Sequence, residues 1–271
     1  MHTDFAVVTG SHHAVTPCQD YCLAWHQDGR AGAVIADGCS TGSRTDLGAR
    51  IWALAAQTVL SQAGDEFLCP DALREALCRE AEPWLRRLAP SDGLATLTTV
   101  QAVGRKLRVC MFGDGAVVTR YTDGRIELRN RLVGGNAPFY LNYHLHPALL
   151  EQYRTTYANA ESNLTWQEFD ADGQMTRVGV GEYANEDVIV HDLDADRDDI
   201  DLLLVATDGL GTGPGLFQAA HELAAIKGSQ GEFLKRRVGR IVRDWQKAGT
   251  MPSDDLAVAG IWLGEQEKSH G

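Results

Sequence analysis

Three apolar stretches of the chain each reach an aspartate that is followed by a glycine. They are "AGAVIADG", which ends at Asp37 and Gly38, "RVCMFGDG", which contains Asp114, and "DLLLVATDG", which contains Asp208. A single Asp-Gly pair commonly closes a turn, and that interpretation is sufficient for any one of the three. Three strands that each carry a carboxylate to their end together predict carboxylates that meet at one place.

Two more aspartates border apolar segments. Asp20 precedes "YCLAWH", and Asp254 lies just before the last apolar stretch, "LAVAGIWL". Carboxylates gathered at the edge of a core repel one another, so one must hold a proton unless a cation neutralises them. Oxygen ligands favour magnesium, manganese or calcium over zinc. Gly38 fits this hypothesis, because a residue without a side chain lets its carbonyl approach a cation closely.

A pair of divalent cations at such a site would have a definite chemistry. Two ions held about 3.5–4 Å apart share and activate a water molecule, and they bind the oxygens of a phosphoryl group. The five aspartates taken together therefore favour metal-assisted phosphoryl hydrolysis over five unrelated turns and caps.

The sequence around these aspartates predicts the elements that position them. In the first third, two strands flank a hairpin turn at Asp28 and Gly29. Helical spacing of apolar residues predicts one helix over residues 44–62 and a second over 70–88. The side chains expected to face the core are Leu47, Ile51, Leu54 and Ala55 in the first helix, and Leu73, Leu77, Trp84 and Leu88 in the second.

From residue 94 to residue 128 the apolar period changes to two, which predicts an antiparallel meander of four strands. Further on, the pattern predicts a helix near 147–157 and a hairpin that turns at Asp172 and Gly173. Two helices, over about 216–227 and 232–247, precede the last strand. Strands and helices in separate blocks, with hairpins between strands, indicate an α+β fold rather than a parallel sheet.

Composition excludes several classes of protein. The chain has 271 residues and a formal net charge of −12, so it lacks the basic surface that nucleic-acid binding requires. Its first residues carry no secretory signal, and no stretch is long and apolar enough to span a membrane. We therefore expect a soluble, cytoplasmic protein with reduced cysteines and no nucleic-acid or membrane partner.

Six short motifs occur along the chain in a defined order. They are "CQD" at Cys18–Asp20, "VIADG" at Val34–Gly38, "LATL" at Leu94–Leu97, "FGDG" at Phe112–Gly115, "LLVATDG" at Leu203–Gly209 and "SDDLAVA" at Ser253–Ala259. Each is weak alone, but in this order the chain resembles the metal-dependent (type 2C) protein serine/threonine phosphatases, especially their bacterial branch. The resemblance spans about residues 5–263, with residues 130–200 outside any motif.

The resemblance implies a fold and a domain organisation. It implies a four-layer α-β-β-α sandwich, in which two antiparallel β-sheets face each other and helices flank them. Residues 1–271 would form a single phosphatase-like domain. The segment at about 130–200 matches the variable flap of the family and would influence the choice of substrate.

The resemblance also assigns roles to the aspartates. The expected cofactors are Mn²⁺ or Mg²⁺, with two principal ions and a position for a third. Asp37 would bridge two ions and Gly38 would bind one through its carbonyl, while Asp208 and Asp254 would complete the shell of the first. On this reading Asp37, Asp208 and Asp254 carry the catalysis.

Two further positions follow from the same resemblance. Asp20 would lie close to the ions and hold waters bound to them, and Asp114 together with Asp208 would bind the third ion. Asp255 falls where the family often has asparagine, so it ranks below Asp254 as a ligand. The implied reaction is hydrolysis of phosphoserine or phosphothreonine monoesters by a hydroxide that bridges the metals. The expected partners are phosphorylated protein substrates, a serine/threonine kinase or its targets among them.

The chain departs from the family pattern at two functional positions. Val15 stands where well-studied members have an arginine that binds the phosphate, and a guanidinium is the natural partner of a phosphoryl group. The metals alone, or His12 or His13, would have to take over that contact. Cys39 replaces a histidine that some members carry after the Asp-Gly pair as a proposed general acid.

Two alternatives to a phosphatase remain open at this stage. The first is a catalytically weak or inactive module that binds phosphoproteins or regulates a partner, which the missing arginine favours and the five retained aspartates oppose. The second is a calcium-binding structural protein. The absence of a D-x-[DN]-x-[DN]-G loop opposes it.

Overall fold

Twelve strands and five α-helices make up the regular structure in the computed structural model, which describes residues 1–13, 17–157 and 160–264. The strands are β1 (His2–Val8), β2 (Asp20–Gln27), β3 (Arg30–Gly38), β4 (Ala95–Val103), β5 (Lys106–Phe112), β6 (Gly115–Tyr121), β7 (Ile126–Val133), β8 (Glu161–Phe169), β9 (Met175–Ala184), β10 (Ile189–Asp194), β11 (Ile200–Ala206) and β12 (Leu256–Trp262). The helices are α1 (Thr45–Gln62), α2 (Pro70–Leu85), α3 (Pro147–Thr156), α4 (Leu216–Ala224) and α5 (Phe233–Ala248).

The strands form two sheets in which every neighbouring pair is antiparallel. One sheet has seven strands in the order β1-β12-β11-β6-β7-β8-β9, and the other has five in the order β10-β5-β4-β3-β2. Apolar side chains from both sheets, such as Ile35, Val109, Val205 and Ala259, pack against one another between them. The inner surfaces of the two sheets thus share one continuous core.

A helical layer covers the outer face of each sheet. Trp52 of α1 and Leu77 of α2 pack on the five-stranded sheet, and Leu223 of α4 and Ile241 of α5 pack on the seven-stranded sheet. The expected four-layer α-β-β-α sandwich is therefore confirmed. No helix in the described ranges has the length and apolar character needed to cross a membrane.

The predicted hairpins form at their expected turns. At the β2–β3 turn Asp28 and Gly29 have φ angles of 50° and 76°, the left-handed pair that a tight two-residue turn requires. At the β8–β9 turn Gly173 has φ of 79°. The helix expected near residues 147–157 is also present as α3.

The meander predicted over residues 94–128 is wrong in one respect. Its four strands exist, but β4 and β5 belong to the five-stranded sheet, whereas β6 and β7 belong to the seven-stranded sheet. The chain crosses between the sheets at Gly113 and Asp114. Gly113 adopts φ of 96° and a side chain there would lie 2.8 Å from Thr96, so the crossing depends on glycine. Alternation of apolar residues cannot distinguish strands of one sheet from strands of two facing sheets.

Two side chains that were expected in the core are exposed. Leu54 of α1 and Trp84 of α2 have exposed fractions of 49% and 56%. The face of α1 that meets the sheet instead carries Trp52 and three alanines, Ala49, Ala53 and Ala56, all fully buried. Small residues let the helix axis lie close to the sheet. The alanines of α1 therefore face the sheet, and the larger Leu54 faces solvent.

Candidate active site

The five aspartates singled out by their sequence context lie at strand ends or in the loops beside them. Asp20 is the first residue of β2 and lies directly opposite Asp37, the second-last residue of β3. Asp208 begins a short 3-10 helix just after β11, and Asp254 lies two residues before β12. Asp114 lies in the crossing between the two sheets. Both sheets therefore contribute carboxylates to one edge of the sandwich.

The carboxyl group of Asp37 lies within hydrogen-bonding reach of those of Asp20 and Asp208. Burial, followed by repulsion from neighbouring carboxylates, raises the pKa of Asp37 well above its usual range. Burial likewise raises the pKa of Asp20 and that of Asp114 to about 7, and it raises the pKa of Asp208. Asp254 takes part through repulsion, since its charge raises the pKa of Asp208 further.

Asp20 is the most firmly held member of the group. Its Oδ2 accepts a hydrogen bond from Thr207 Oγ1 at 2.6 Å and another from the backbone N–H of Ala257 at 2.9 Å. These two donors come from the residues that follow β11 and begin β12. They fix the Asp20 carboxylate between β2 and the seven-stranded sheet.

The glycines beside the aspartates are required by close backbone contacts. A Cβ atom on Gly209 would lie 1.8 Å from the carbonyl oxygen of Asp255, and one on Gly38 would lie 2.7 Å from that of Thr45. Real Cβ atoms do not approach backbone atoms this closely, so neither position accepts a side chain without a shift of the chain. This steric role is an addition to the carbonyl ligation expected for Gly38.

Asp255 has a different environment from Asp254. It is almost fully buried, and its carboxylate accepts hydrogen bonds from the backbone N–H groups of Gly10 at 2.8 Å and Gln19 at 2.7 Å. His13 Nδ1 lies 2.8 Å from the same carboxylate. Asp255 therefore connects three segments of the chain, whereas the side chain of Asp254 is about half exposed.

The structure describes His12 and His13, the two histidines considered as replacements for the phosphate-binding arginine. Val15 lies outside the described residues. His12 is exposed. His13 Nδ1 lies 3.7 Å from Asp254 Oδ1 and closer to Asp255, and the hydrogen bond with Asp255 raises the pKa of His13. Only His13 of the two histidines is thus connected to the aspartates.

Sequence reasoning missed Arg131, which is fully buried behind the site. Arg131 lies opposite Gly115 on the neighbouring strand, next to Asp114, and donates hydrogen bonds to Ser162 Oγ and to the carbonyl oxygens of Met111 and Asn185. Burial lowers the pKa of Arg131 to about 10, while its charge partly opposes the rise in the pKa of Asp114. No signal in the sequence indicates this burial, because Arg131 follows Glu127 and Arg129 on the charged positions of the "IELRNRLV" alternation.

A second residue that the sequence did not reveal is Tyr140. It is buried, its hydroxyl is hydrogen-bonded to the Cys39 thiol, and it lies in the field of Asp37 and Asp114. Burial raises the pKa of Tyr140, so this hydroxyl stays protonated. Cys39 therefore joins the edge of the acidic group to the aromatic cluster of Phe139, Tyr140, Tyr143 and Tyr153.

The donor set fits a hard divalent cation. Among the residues that the structure describes, no three or more His, Cys, Asp or Glu side chains are arranged as a ready-made metal site. Asp37 nevertheless contacts Asp20 and Asp208 in a buried setting, where the repulsion between the carboxylates requires protons or cations to offset it. Carboxylate and carbonyl oxygens without thiolates suit magnesium or manganese.

The chain matches the sequence pattern of one protein family over most of its length. Residues 9–229 match the pattern described as protein phosphatase 2C. The chain belongs to the protein phosphatase 2C family. No curated protein matches the chain closely enough to be informative about its substrate.

Solved structures of bacterial serine/threonine phosphatases have a similar fold. The S. agalactiae serine/threonine phosphatase aligns over 97% of this chain and 100% of its own at a TM-score of 0.53 and 16% identity. The Mycobacterium tuberculosis serine/threonine phosphatase PstP/Ppp aligns over 98% of this chain and 100% of its own, at a TM-score of 0.54 and 12% identity. The serine/threonine phosphatase Stp1 from Staphylococcus aureus aligns over 98% of this chain and 96% of its own, at a TM-score of 0.56 and 12% identity.

The family membership determines the class of activity. Protein phosphatase 2C enzymes are protein serine/threonine phosphatases, they are metal-dependent in general, and their substrates are phosphoproteins. The resemblance inferred from the six sequence motifs is confirmed.

Proposed function

We propose that this chain hydrolyses phosphoserine and phosphothreonine monoesters in proteins by means of divalent cations bound to the converging aspartates. The observation that carries the proposal is the contact of Asp37 with both Asp20 and Asp208, at an edge of the sandwich that Asp114 and Asp254 also face. Such a buried group of like charges is unfavourable by itself, and a catalytic use of cations accounts for it.

Each aspartate has a proposed role in holding the ions. Asp37 and the Gly38 carbonyl would contact the two principal ions, Mn²⁺ or Mg²⁺, with Asp208 and Asp254 completing the shell of the first. Asp114 together with Asp208 would hold a third. When bound, the cations would supply an activated water molecule and offset negative charge on the phosphoryl oxygens.

The other residues of the site act on orientation and charge. Asp20, fixed by Thr207 and the Ala257 N–H, would accept hydrogen bonds from water and keep it in line with the phosphorus atom. His13, oriented by Asp255, would contact the phosphoryl group in place of the missing arginine. The side chain of His12 is exposed, and its backbone N–H donates to the Ser253 carbonyl oxygen at 3.0 Å.

Substrate choice belongs to the same proposal. Residues 130–200 contain α3 and the β8–β9 hairpin, and Arg131 and Tyr140 connect this segment to the acidic edge. We assign these residues to a flap within a single phosphatase domain spanning 1–271. Its partners would be phosphorylated proteins in the cytoplasm, a serine/threonine kinase or its targets among them.

The test is hydrolysis of a phosphothreonine peptide, a phosphotyrosine peptide and p-nitrophenyl phosphate with manganese, with magnesium and with excess chelator. The variant is Asp208→Asn, and its matched control is Asp28→Asn, an exposed aspartate in the Asp-Gly turn of the β2–β3 hairpin. We expect metal-dependent turnover of the phosphothreonine peptide that Asp208→Asn reduces at least about 100-fold, or by about 2.7 kcal/mol of transition-state stabilisation. Asp28→Asn should match the wild type.

The alternative of an inactive phosphoprotein-binding module is favoured by Val15 at the position of the arginine. It predicts a different outcome in the same experiment. Folded protein that binds the phosphothreonine peptide but hydrolyses none of the three substrates with either metal would exclude the enzyme and support the module.

A further inference from the structure

The strand β9 forms an open edge of the seven-stranded sheet. Within the described ranges β9 pairs with β8 only, and it stands last in the strand order of its sheet. The edge is closed at one end, where the N–H of Ala184 donates to Asp187 Oδ2 at 2.9 Å. The remaining residues, 175–183, present a strand edge that another strand could join.

This edge carries an unusual amount of apolar surface. Four side chains of β9 are exposed, with exposed fractions of 56% for Met175, 58% for Val178, 64% for Val180 and 40% for Tyr183. Edge strands of monomeric proteins are usually protected by charge, proline or a bulge, because a long apolar edge invites association. The open part of β9 contains no proline and only Arg177 and Glu182 as charged residues.

β9 is held in a defined position and is suited to pairing. At its closed end, the buried Arg131 donates a hydrogen bond to the Asn185 carbonyl, 3.1 Å away. Near its middle, the ring of Trp166 lies against Gly179, where a Cβ would be 2.3 Å from the ring. The register with β8 is regular from Arg177 to Ala184 of β9, and it shifts only between Glu168 and Phe169 of β8. The exposed edge is thus an ordered strand.

The sequence of β9 is complementary to itself in one antiparallel register. If Gly179 lies opposite Gly179 of a second copy, Val178 faces Val180 of that copy and Val180 faces its Val178. The same register places Met175 opposite Tyr183, so all four exposed apolar residues meet an apolar partner. Arg177 then faces Gly181, and Glu182 faces Thr176, so no like charges are opposed.

We propose that two copies of this chain associate through antiparallel pairing of β9 with β9, centred on Gly179. The two sheets would then continue into one another across a two-fold axis, which is the closed symmetry of most homodimers. The pairing would satisfy the open backbone groups of residues 175–183 and cover the valines of both copies. The second copy is the occupant that the complementary register favours over an unrelated strand.

The first experiment is sedimentation velocity from about 1 to 100 μM protein, a range that brackets micromolar dissociation constants. The wild type should dimerise, and Val178→Lys and Val180→Glu should each weaken the dimer at least about tenfold. Val7→Lys is the matched control, because Val7 is an exposed valine of β1 at the opposite edge of the same sheet. Circular dichroism and thermal melting establish that the variants are folded.

Mixing the variants tests the register. Val178→Lys mixed with Val180→Glu places opposite charges directly across the interface and should restore a heterodimer. Val178→Lys mixed with Val178→Glu places the charges only diagonally, so the restored affinity should be lower. A monomeric wild type at every concentration would overturn the proposal. A dimer that Val7→Lys dissociates, or that both β9 variants leave unchanged, would do so as well. None of these readouts depends on phosphatase activity.

Discussion

The aspartates of the site differ in how many hydrogen-bond donors their carboxylates already have. Asp255 accepts two backbone hydrogen bonds and a contact from His13, and Asp20 accepts two hydrogen bonds. The Asp37 carboxyl instead contacts two other carboxyl groups, those of Asp20 and Asp208. Asp255 is therefore suited to a structural role, whereas Asp37 is suited to a cation.

Asp37→Asn should stabilise the metal-free protein and remove its response to metal. Replacing a carboxylate in a repelling group by a neutral amide should raise the free energy of unfolding in excess chelator by roughly 1 kcal/mol. Manganese should then raise the melting temperature of the wild type but not that of Asp37→Asn. Calorimetry with and without manganese measures both effects. A variant less stable than the wild type in chelator would contradict the repulsion argument.

His13→Gln should weaken substrate binding. If His13 takes the place of the missing arginine at the phosphoryl group, its loss should raise KM for a phosphothreonine peptide about tenfold, with a smaller effect on kcat. His12→Gln is the control, since His12 is the adjacent exposed histidine. Steady-state kinetics on both variants distinguishes the two positions. Equal KM values for the two variants would rule out the assigned role of His13.

The buried His191 should make stability depend on pH below neutrality. Burial, followed by the charge of Arg129, lowers the pKa of His191 to about 4, and Arg129 Nη1 lies 2.6 Å from His191 Nδ1. The unfolded chain takes up a proton near pH 6.5, whereas the folded protein does so only near pH 4. The stability that the neutral ring contributes is therefore complete above pH 6.5 and is lost as the pH falls toward 4.

Between pH 7 and pH 5 this loss should amount to about 2 kcal/mol, and it should be absent in His191→Gln. The measurement is the free energy of unfolding by denaturant at both pH values in the two proteins, and the difference between them isolates His191. The same pH dependence in wild type and variant would show that another group is responsible.

At the scale of residues, the sequence predicted that the aspartates would lie together, because each aspartate adjoins an apolar strand and three of them precede a glycine. It could not identify Arg131 or Tyr140, since their importance depends on which strands and loops lie behind the acidic edge. Only the assembled sheets bring Met111, Ser162 and Asn185 around the guanidinium of Arg131.

At the scale of elements, the site depends on how the turn after β11 packs against the start of β12. Gly209 follows Asp208 and lies against the backbone of Asp255, which itself holds Gly10 and Gln19. The position of the Asp208 carboxylate is thus coupled to the spacing between these two segments. A change in that spacing should affect the site without altering any acidic residue.

Gly209→Ala should therefore reduce both stability and turnover. The added Cβ would lie 1.8 Å from the Asp255 carbonyl oxygen, and we expect a loss of about 2–4 kcal/mol in the free energy of unfolding. Gly211→Ala is a control in the same 3-10 helix, where an added Cβ meets nothing within 4 Å. Denaturant unfolding and phosphopeptide hydrolysis on both variants test this. Equal stability of the two variants would contradict the close-packing argument.

The order and type of the elements were accessible from the sequence, because period-two and helical spacings are local properties. The sheet to which each strand belongs could not be predicted from the sequence. The crossing at Gly113 and Asp114 was therefore interpreted as a turn within one meander. The orientation of α1 was also missed, because three alanines and Trp52 pack more closely on the sheet than Leu54 would.

At the scale of the whole molecule, the sandwich brings together carboxylates from distant parts of the chain. Asp20 and Asp37 come from the five-stranded sheet, Asp208 and Asp254 flank strands of the seven-stranded sheet, and Asp114 lies between the two. The helical layers and the shared core hold both sheets in a fixed relation. The same seven-stranded sheet ends in the open edge of β9, where we propose that a second copy associates.

The most direct test of the metal-dependent centre is to follow cation binding and turnover in the same sample. Metal-stripped protein is titrated with manganese by calorimetry, and phosphate release from a phosphothreonine peptide is measured at each addition. We predict that the wild type is inactive when stripped and regains turnover as manganese binds, and that Asp37→Asn shows neither strong binding nor turnover. Undiminished turnover of the stripped wild type, or manganese binding and turnover in Asp37→Asn equal to the wild type, would contradict the account.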